Sequence, residues 1–240
     1  MPVRDFVLIT CEHGGNRIPS AYRALFRNHR ALLASHRGYD AGALTLAQEL
    51  AATLKAPLVT STVSRLLVDL NRSIGHAYVF SDVIRPASPE VRKQIIDRYY
   101  RPHRAEVERR IARAVARRRR VIHLACHSFT PALHGVVRRA DVGLLYDPSR
   151  PGEAALCARW KGVLALQAPE LVVRRNYPYL GKNDGLTTSL RRQFHSADYI
   201  GIEIEINQRH VLSDAPKWRA FRATLVRSVR AVLERERGGR

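Results

Sequence analysis

Two hundred and forty residues, 45% hydrophobic and 26% charged, supply enough apolar material for one large folded core and exclude a disordered or fibrous chain. No apolar run approaches the roughly 18 residues of a membrane span, and Met1-Pro2-Val3-Arg4-Asp5 leads into an apolar segment without a signal-peptide pattern, so a cytoplasmic protein with no membrane partner is expected. The formal net charge of +20 comes from 36 Arg and 5 Lys against 21 acidic residues; spread along the whole chain, the arginines read as general surface residues, and no specific nucleic-acid partner is expected.

Val7-Leu8-Ile9-Thr10-Cys11 is a β-branched, apolar run predicted to be a strand covered on both faces, and it opens into Glu12-His13-Gly14-Gly15-Asn16. The paired glycines let backbone come close to a metal or substrate, and Glu12, His13 and Asn16 carry the chemistry of the stretch. Ala21 to Ser35 reads as a helix after the Pro19-Ser20 breaker. Asp40 stands as an N-cap before a second helix, in which Leu46, Leu50 and Leu54 recur at four-residue spacing with Ala43 and Ala47 on the same side. Pro57 to Val63 is a strand, Leu66-Leu67-Val68 a short apolar run, and Asp69 to Pro89 a loop.

A charged helical stretch is predicted from Pro89 to Arg120, broken at Pro102 and ending in the solvated basic turn Arg117 to Arg120. Val121 to Cys126 is a strand that opens into His127-Ser128-Phe129-Thr130-Pro131. Val142 to Tyr146 is a further strand, Gly152 to Gln167 a helix, Asn176 to Gly185 a long loop and Thr187 to His195 a helix. In the last strand, Tyr199 to Ile206, the two-residue period puts Glu203 and Glu205 on one face. The chain closes with a helix capped at Ser213 or Asp214 and an arginine-rich tail from Arg235. Strands alternating with helices imply a single α/β domain over residues 1–240, a three-layer sandwich around a mixed, largely parallel sheet.

Ligands of open α/β sheets bind at the carboxyl ends of strands, and three strands here carry polar groups at or near that end: Glu12, His13 and Asn16; His127 and Ser128; Glu203 and Glu205. Two histidines and a separate carboxylate are the material of a hydrolytic zinc site. A lone histidine is more often a hydrogen-bonded structural one, but Glu203 inside an apolar strand is costly to bury unless it serves a site. Asp69-Leu70-Asn71-Arg72-Ser73 offers a guanidinium beside an amide, suited to a carboxylate, with an Asp69 to Arg72 ion pair as the plainer alternative. Tyr99, His103, Arg104, Asn176 and Tyr179 are candidates to line a pocket. Cys11, Cys126 and Cys157 form no CxxC pair and read as reduced thiols; Cys126 as a nucleophile is disfavoured because it and His127 point to opposite faces of a strand.

Taken together, Cys11 to Pro19, Gly38 to Ala43, Ser64 to Ser73, Pro102-His103, His127 to Pro131 and Ile202 to Ile204 resemble the N-formylglutamate amidohydrolase family, which is distantly similar to the zinc carboxypeptidases and aspartoacylases. The resemblance implies a carboxypeptidase-like fold, Zn2+ as cofactor and hydrolysis of a small N-acyl amino acid, with N-formyl-L-glutamate as the first substrate to consider. It also implies zinc ligation by His13 and His127, with a third ligand drawn from Asn16, Asp40 or Glu12. Glu203 corresponds to the catalytic carboxylate, and Asn71 and Arg72 to the substrate clamp, with Arg65, His103 and Ser128 as further substrate-binding candidates. The competing class is a nucleic-acid-binding protein using the Arg-rich helices, whose affinity would fall steeply with salt.

Overall fold

Among the described residues eight strands form where β-branched and apolar residues run together: β1 (Phe6–Cys11), β2 (Leu58–Thr60), β3 (Val121–Phe129), β4 (Ala132–Leu133), β5 (Val136–Val137), β6 (Val142–Leu145), β7 (Val173–Arg175) and β8 (Tyr199–Asn207). The computed structural model describes residues 5–238, with side chains described to residue 234; the leading residues 1–4 and the end of the arginine-rich tail lie outside that range. Six strands make one sheet in the order β2-β1-β3-β8-β6-β7. The first four run parallel, β6 is antiparallel to β8, and β7 is parallel to β6.

The helices are α1 (Arg30–Ala34), α2 (Ala43–Leu54), α3 (Pro89–Ile95), α4 (Arg101–Ala116), α5 (Pro151–Gln167), α6 (Leu186–Gln193), α7 (Gln208–Val211) and α8 (Ala215–Gly238). The two-residue period of the strands sends Val7, Ile9, Ile122, Leu124, Ile202 and Ile204 to one face, where α2, α5 and α8 cover them with Leu46, Leu50, Trp160, Leu164, Leu225 and Val229. On the other face Leu8, Val121 and Tyr199 meet Val107 and Ile111 of α4 and Leu186 and Leu190 of α6. The result is three layers with a mixed, mostly parallel sheet in the middle. Complete burial of side chains such as Leu46, Leu50 and Ile111 contributes roughly 1.5–3 kcal/mol each. Among the described residues no helix is long and apolar enough to cross a membrane.

A third apolar cluster joins Tyr22 and Phe26 of a 3-10 helix (Ser20–Phe26) to Leu66, Leu67, Leu70, Ile84 and Ile95. It holds the irregular segment 61–88 in place, and that segment carries Arg65, Asp69, Asn71 and Arg72.

Several local expectations are revised. The predicted helix from Ala21 to Ser35 is a 3-10 helix and the short α1, interrupted at Arg27-Asn28-His29, where no apolar residue anchors the chain and Asn and His are weak helix formers. Pro102 does not break its helix: one π-helical turn, Ile96–Tyr100, links α3 to α4, with the Arg101 N–H bonded to the Ile96 carbonyl. Pro102 has no N–H for the carbonyl of Arg98, and the wider turn absorbs that mismatch. The basic run is not simply solvated, since Arg120 pairs with Asp5 (2.9 Å) and Arg119 lies over the Phe6 ring. β3 continues past Cys126 because β8 pairs with it in register from Val121 opposite Tyr199 to Phe129 opposite Asn207, so His127 and Ser128 belong to the strand. The β4–β5 hairpin turns on His134 and Gly135, both at positive φ, a two-residue turn whose His-Gly sequence lacks the usual Asn-Gly signal.

Candidate active site

The carboxyl ends of β1, β3 and β8 lie side by side because these strands are parallel neighbours. β1 delivers Glu12 and His13 just past its end; β3 contributes His127 and Ser128; β8 contributes Glu203 and Glu205. Gly14 and Gly15 let the loop after β1 lie against the chain at 61–62, where an added Cβ would come within 2.9 Å of the Ser61 carbonyl and 2.8 Å of the Thr62 carbonyl. Their close approach is to this backbone, which seats His13.

His13 and His127 meet at 5.1 Å between ring centroids, and both turn Nδ1 towards one oxygen of Asp40. Oδ2 of Asp40 lies 3.3 Å from His13 Nδ1 and 2.9 Å from His127 Nδ1. The opposite nitrogen of each ring faces another carboxylate: His13 Nε2 is 2.7 Å from Asp69 Oδ1, and His127 Nε2 is 3.1 Å from Glu12 Oε2. With hydrogen on Nε2, facing Asp69 and Glu12, the two Nδ1 atoms would be free to turn lone pairs towards a cation beside Asp40. Arg65 bridges the assembly, with Nη1 on Asp40 Oδ1 at 3.2 Å and Nη2 on Asp69 Oδ2 at 2.8 Å.

His13, Asp40 and His127 each offer a ligating atom, all within 4.8 Å of one another and all buried, so the group could hold a metal ion. The electrostatics fit one. Burial opposes charge on Asp40, but His13, the hydrogen bond from His127, and Arg65 hold its carboxyl below the ordinary range. Burial likewise opposes charge on Asp69 and Glu12, and Arg65 with His13, and His103 with His127, respectively keep those carboxyls low. Burial pushes the His127 imidazole down, yet Asp40 and Glu12 outweigh it and raise it well above its usual value. Surroundings that favour a proton on His127 favour a divalent cation in its place.

A cavity of about 400 Å3 opens beside this group, lined by His13, Asp40, Arg65, Asn71, Arg72, His127, Ser128, Glu203 and Glu205 among others. Glu203 is buried, with Oε1 accepting from Thr187 Oγ1 at 2.6 Å. Burial above all pushes the Glu205 carboxyl up to about 8. Asn71 accepts the Leu186 N–H at 2.6 Å and so supplies the N-terminal cap of α6 from a distant loop. Arg72 is anchored through Nη1 to the Asp184 carbonyl at 2.5 Å, and Ser128 accepts from Gln208 Nε2 at 3.0 Å.

Other candidates lie elsewhere. Asn16 is exposed and donates to the Leu33 carbonyl at 3.1 Å, and the carboxylate that stands between His13 and His127 is Asp40. Asp40 in turn is not an N-cap, because α2 begins after Gly42 at φ 79 with no side-chain cap. Glu12 stands behind His127, away from the converging lone pairs, and His103 stands behind Glu12 at 3.6 Å, outside the cavity lining. Arg104 donates to the Leu70 carbonyl, Tyr99 packs on Tyr22, and Asn176 accepts from Tyr146 and Gly181, whereas Tyr179 does line the cavity. The Asp69 to Arg72 pair does not form, since Asp69 is taken by Arg65 and His13. Cys126 is buried in the apolar layer opposite His127, with its thiol raised by burial, which removes it as a nucleophile.

The sequence reading missed Asp69 as a partner of His13, and missed Thr187 and Asp184 altogether. Asp184 holds the Ser73 N–H at 2.9 Å. Gly185 was another available signal: a Cβ there would lie 3.1 Å from Asn71 Oδ1 and 3.3 Å from Glu203 Oε1.

A family model described as N-formylglutamate amidohydrolase matches residues 6–212. Among solved structures, a gene product of Agrobacterium tumefaciens is similar with a TM-score of 0.83 and 26% identity, over 98% of this chain and 93% of that one. An N-formylglutamate amidohydrolase from Ralstonia eutropha is similar with a TM-score of 0.70 and 19% identity, over 100% of this chain and 97% of that one, a likeness of fold. No curated protein matches the chain.

Proposed function

This chain belongs to the N-formylglutamate amidohydrolase family, and from that premise we propose that it hydrolyses the amide bond of a small N-acyl amino acid with Zn2+ as its cofactor. N-formyl-L-glutamate, giving formate and glutamate, is the reference substrate. The observation that carries the reading is the convergence of His13 Nδ1 and His127 Nδ1 on Asp40 Oδ2 at the wall of the cavity that also holds Glu203. His13, Asp40 and His127 would hold the ion. Zinc so held supplies Lewis-acid polarisation and lowers the pKa of water towards ~7.

The chain's own groups do the rest. Glu203 has Oε1 tied to Thr187 and Oε2 as the oxygen that takes a proton from the attacking water and returns it to the departing amine nitrogen. Arg72, braced on Asp184, and the Asn71 amide border the cavity and orient a substrate carboxylate. Arg65 holds Asp40 and Asp69 in place and so acts as a positioning residue.

The test is release of free amine from N-formyl, N-acetyl and N-formimino amino acids, before and after exhaustive chelation and after zinc is restored. Full activity after chelation rejects the metal mechanism, and no release from any substrate rejects the amidohydrolase reading.

A further inference from the structure

The charge of the cavity differs from that of the molecule. Against the net +20 of the chain, four guanidinium groups line the cavity and six carboxylates do. Each guanidinium is engaged. Arg65 bridges Asp40 and Asp69, and Arg72 is anchored on the Asp184 carbonyl. Arg37 and Arg85 stand at the mouth, about half exposed, and share Asp82. His36 is held below its ordinary range by burial and by Arg37, and adds no cation at neutral pH. The remaining donors of Arg72 can serve one substrate carboxylate, whereas Arg65, the other inner cation, already faces the three carboxyl groups of Asp40, Asp69 and Glu205.

Among the carboxylates the exception is Glu205. Asp40, Asp69, Asp82, Asp184 and Glu203 all have partners. Glu205 is 5% exposed, and its buried Oε2 has no hydrogen-bond partner among the described residues. Two residues along β8 from Glu203 and on the same face, it stands about 6.6 Å along the strand from the general base. That interval matches the reach from an amino acid's amide nitrogen to the end of a long side chain. A buried polar atom without a hydrogen-bond partner is costly, and a ligand that brings a donor to Glu205 Oε2 removes the cost.

We infer, resting on the amidohydrolase reading, that Glu205 receives the substrate side chain and that the substrate is an N-acyl amino acid with a basic side chain, an amine or a guanidine. Its α-carboxylate lies on Arg72 and Asn71. A second carboxylate, as in N-formylglutamate, would be set against Glu205.

The test compares N-formyl-lysine, N-formyl-arginine, N-formyl-norleucine and N-formyl-glutamate with the zinc-loaded protein. At least a tenfold higher kcat/KM for the lysine or arginine compound than for the glutamate compound is expected. Glu205→Gln should bring the lysine-to-norleucine ratio down towards one. Calorimetry with the Glu203→Gln protein reads the same preference as binding, independent of turnover, and tighter binding of N-formyl-lysine than of N-formyl-glutamate is expected there. Preferred hydrolysis and binding of N-formyl-glutamate overturns the inference and leaves the amidohydrolase reading standing. A lysine-to-norleucine ratio unmoved by Glu205→Gln also overturns it. Absence of hydrolysis with every substrate overturns both.

Discussion

His13 is gripped from behind by Asp69, whose Oδ1 lies 2.7 Å from Nε2, so that Nδ1 is presented to Asp40 on the other side of the ring. Asp69→Asn keeps the shape and removes the charge that fixes this tautomer. Zinc affinity should fall about 10–100-fold. Competition with a chromophoric chelator measures it, and an unchanged affinity would refute the orienting role.

His13→Ala, His127→Ala and Asp40→Asn should each lose stoichiometric zinc on desalting, whereas Asn16→Ala should keep it, because the Asn16 amide is bound to the Leu33 carbonyl at the surface. Metal analysis of the four proteins decides between Asp40 and Asn16 as the third ligand.

Glu203 borders the cavity without belonging to the metal-binding group. Glu203→Gln should therefore retain zinc while kcat drops by about 10²–10⁴, the usual worth of a general acid–base group. Loss of zinc in this variant would reassign Glu203 as a ligand.

Gly185 has extended backbone, so alanine fits conformationally, yet its Cβ would press on Asn71 Oδ1 at 3.1 Å and Glu203 Oε1 at 3.3 Å. Gly185→Ala should reduce kcat/KM about tenfold through displacement of these two groups. Its melting temperature should stay close to the parent's, and a large drop would mean that the glycine serves folding instead.

His123 is buried in β3 between Thr10 Oγ1 (2.9 Å) and Tyr199 Oη (2.7 Å), and burial lowers its pKa to about 4. The unfolded chain binds a proton near pH 6.5 while the folded one does not, so this group's contribution is intact above pH 6.5 and is lost as pH falls towards 4. The loss is roughly 3 kcal/mol at most. Denaturant titrations at pH 7 and pH 4.5 should show a smaller pH-dependent loss for His123→Gln than for the parent; equal losses would exclude His123 as the source.

Much of the site was legible where secondary structure imposes a period. Glu203 and Glu205 were placed on one face by the alternation of a strand, and His13 and His127 by their position at the ends of apolar runs. Asp40 was half legible, since an aspartate shortly before a helix has the look of a cap, and only the positive φ of Gly42 moves the helix start beyond it. Arg65 and Asp69 were not legible in their true pairing, because segment 61–88 has no period and is shaped by the separate core of Leu66, Leu67 and Leu70. Asn16, three residues past His13, was a ligand candidate from the carboxypeptidase pattern, and the loop turns its amide to the Leu33 carbonyl, an orientation that no period in the sequence announces. Net charge is no guide to the cavity, whose four arginines already meet acceptors within the protein.

The contacts that gather the metal-binding group span 27 residues between His13 and Asp40 and 87 between Asp40 and His127. The longer of the two closes only when β3, which carries His127, has docked beside β1 and the loop entropy of the intervening helices has been spent. A chain emerging from the ribosome would thus have no high-affinity site until residue 127 is out and paired. Zinc uptake followed during refolding should therefore track sheet assembly rather than early collapse, making the ion a reporter of finished topology.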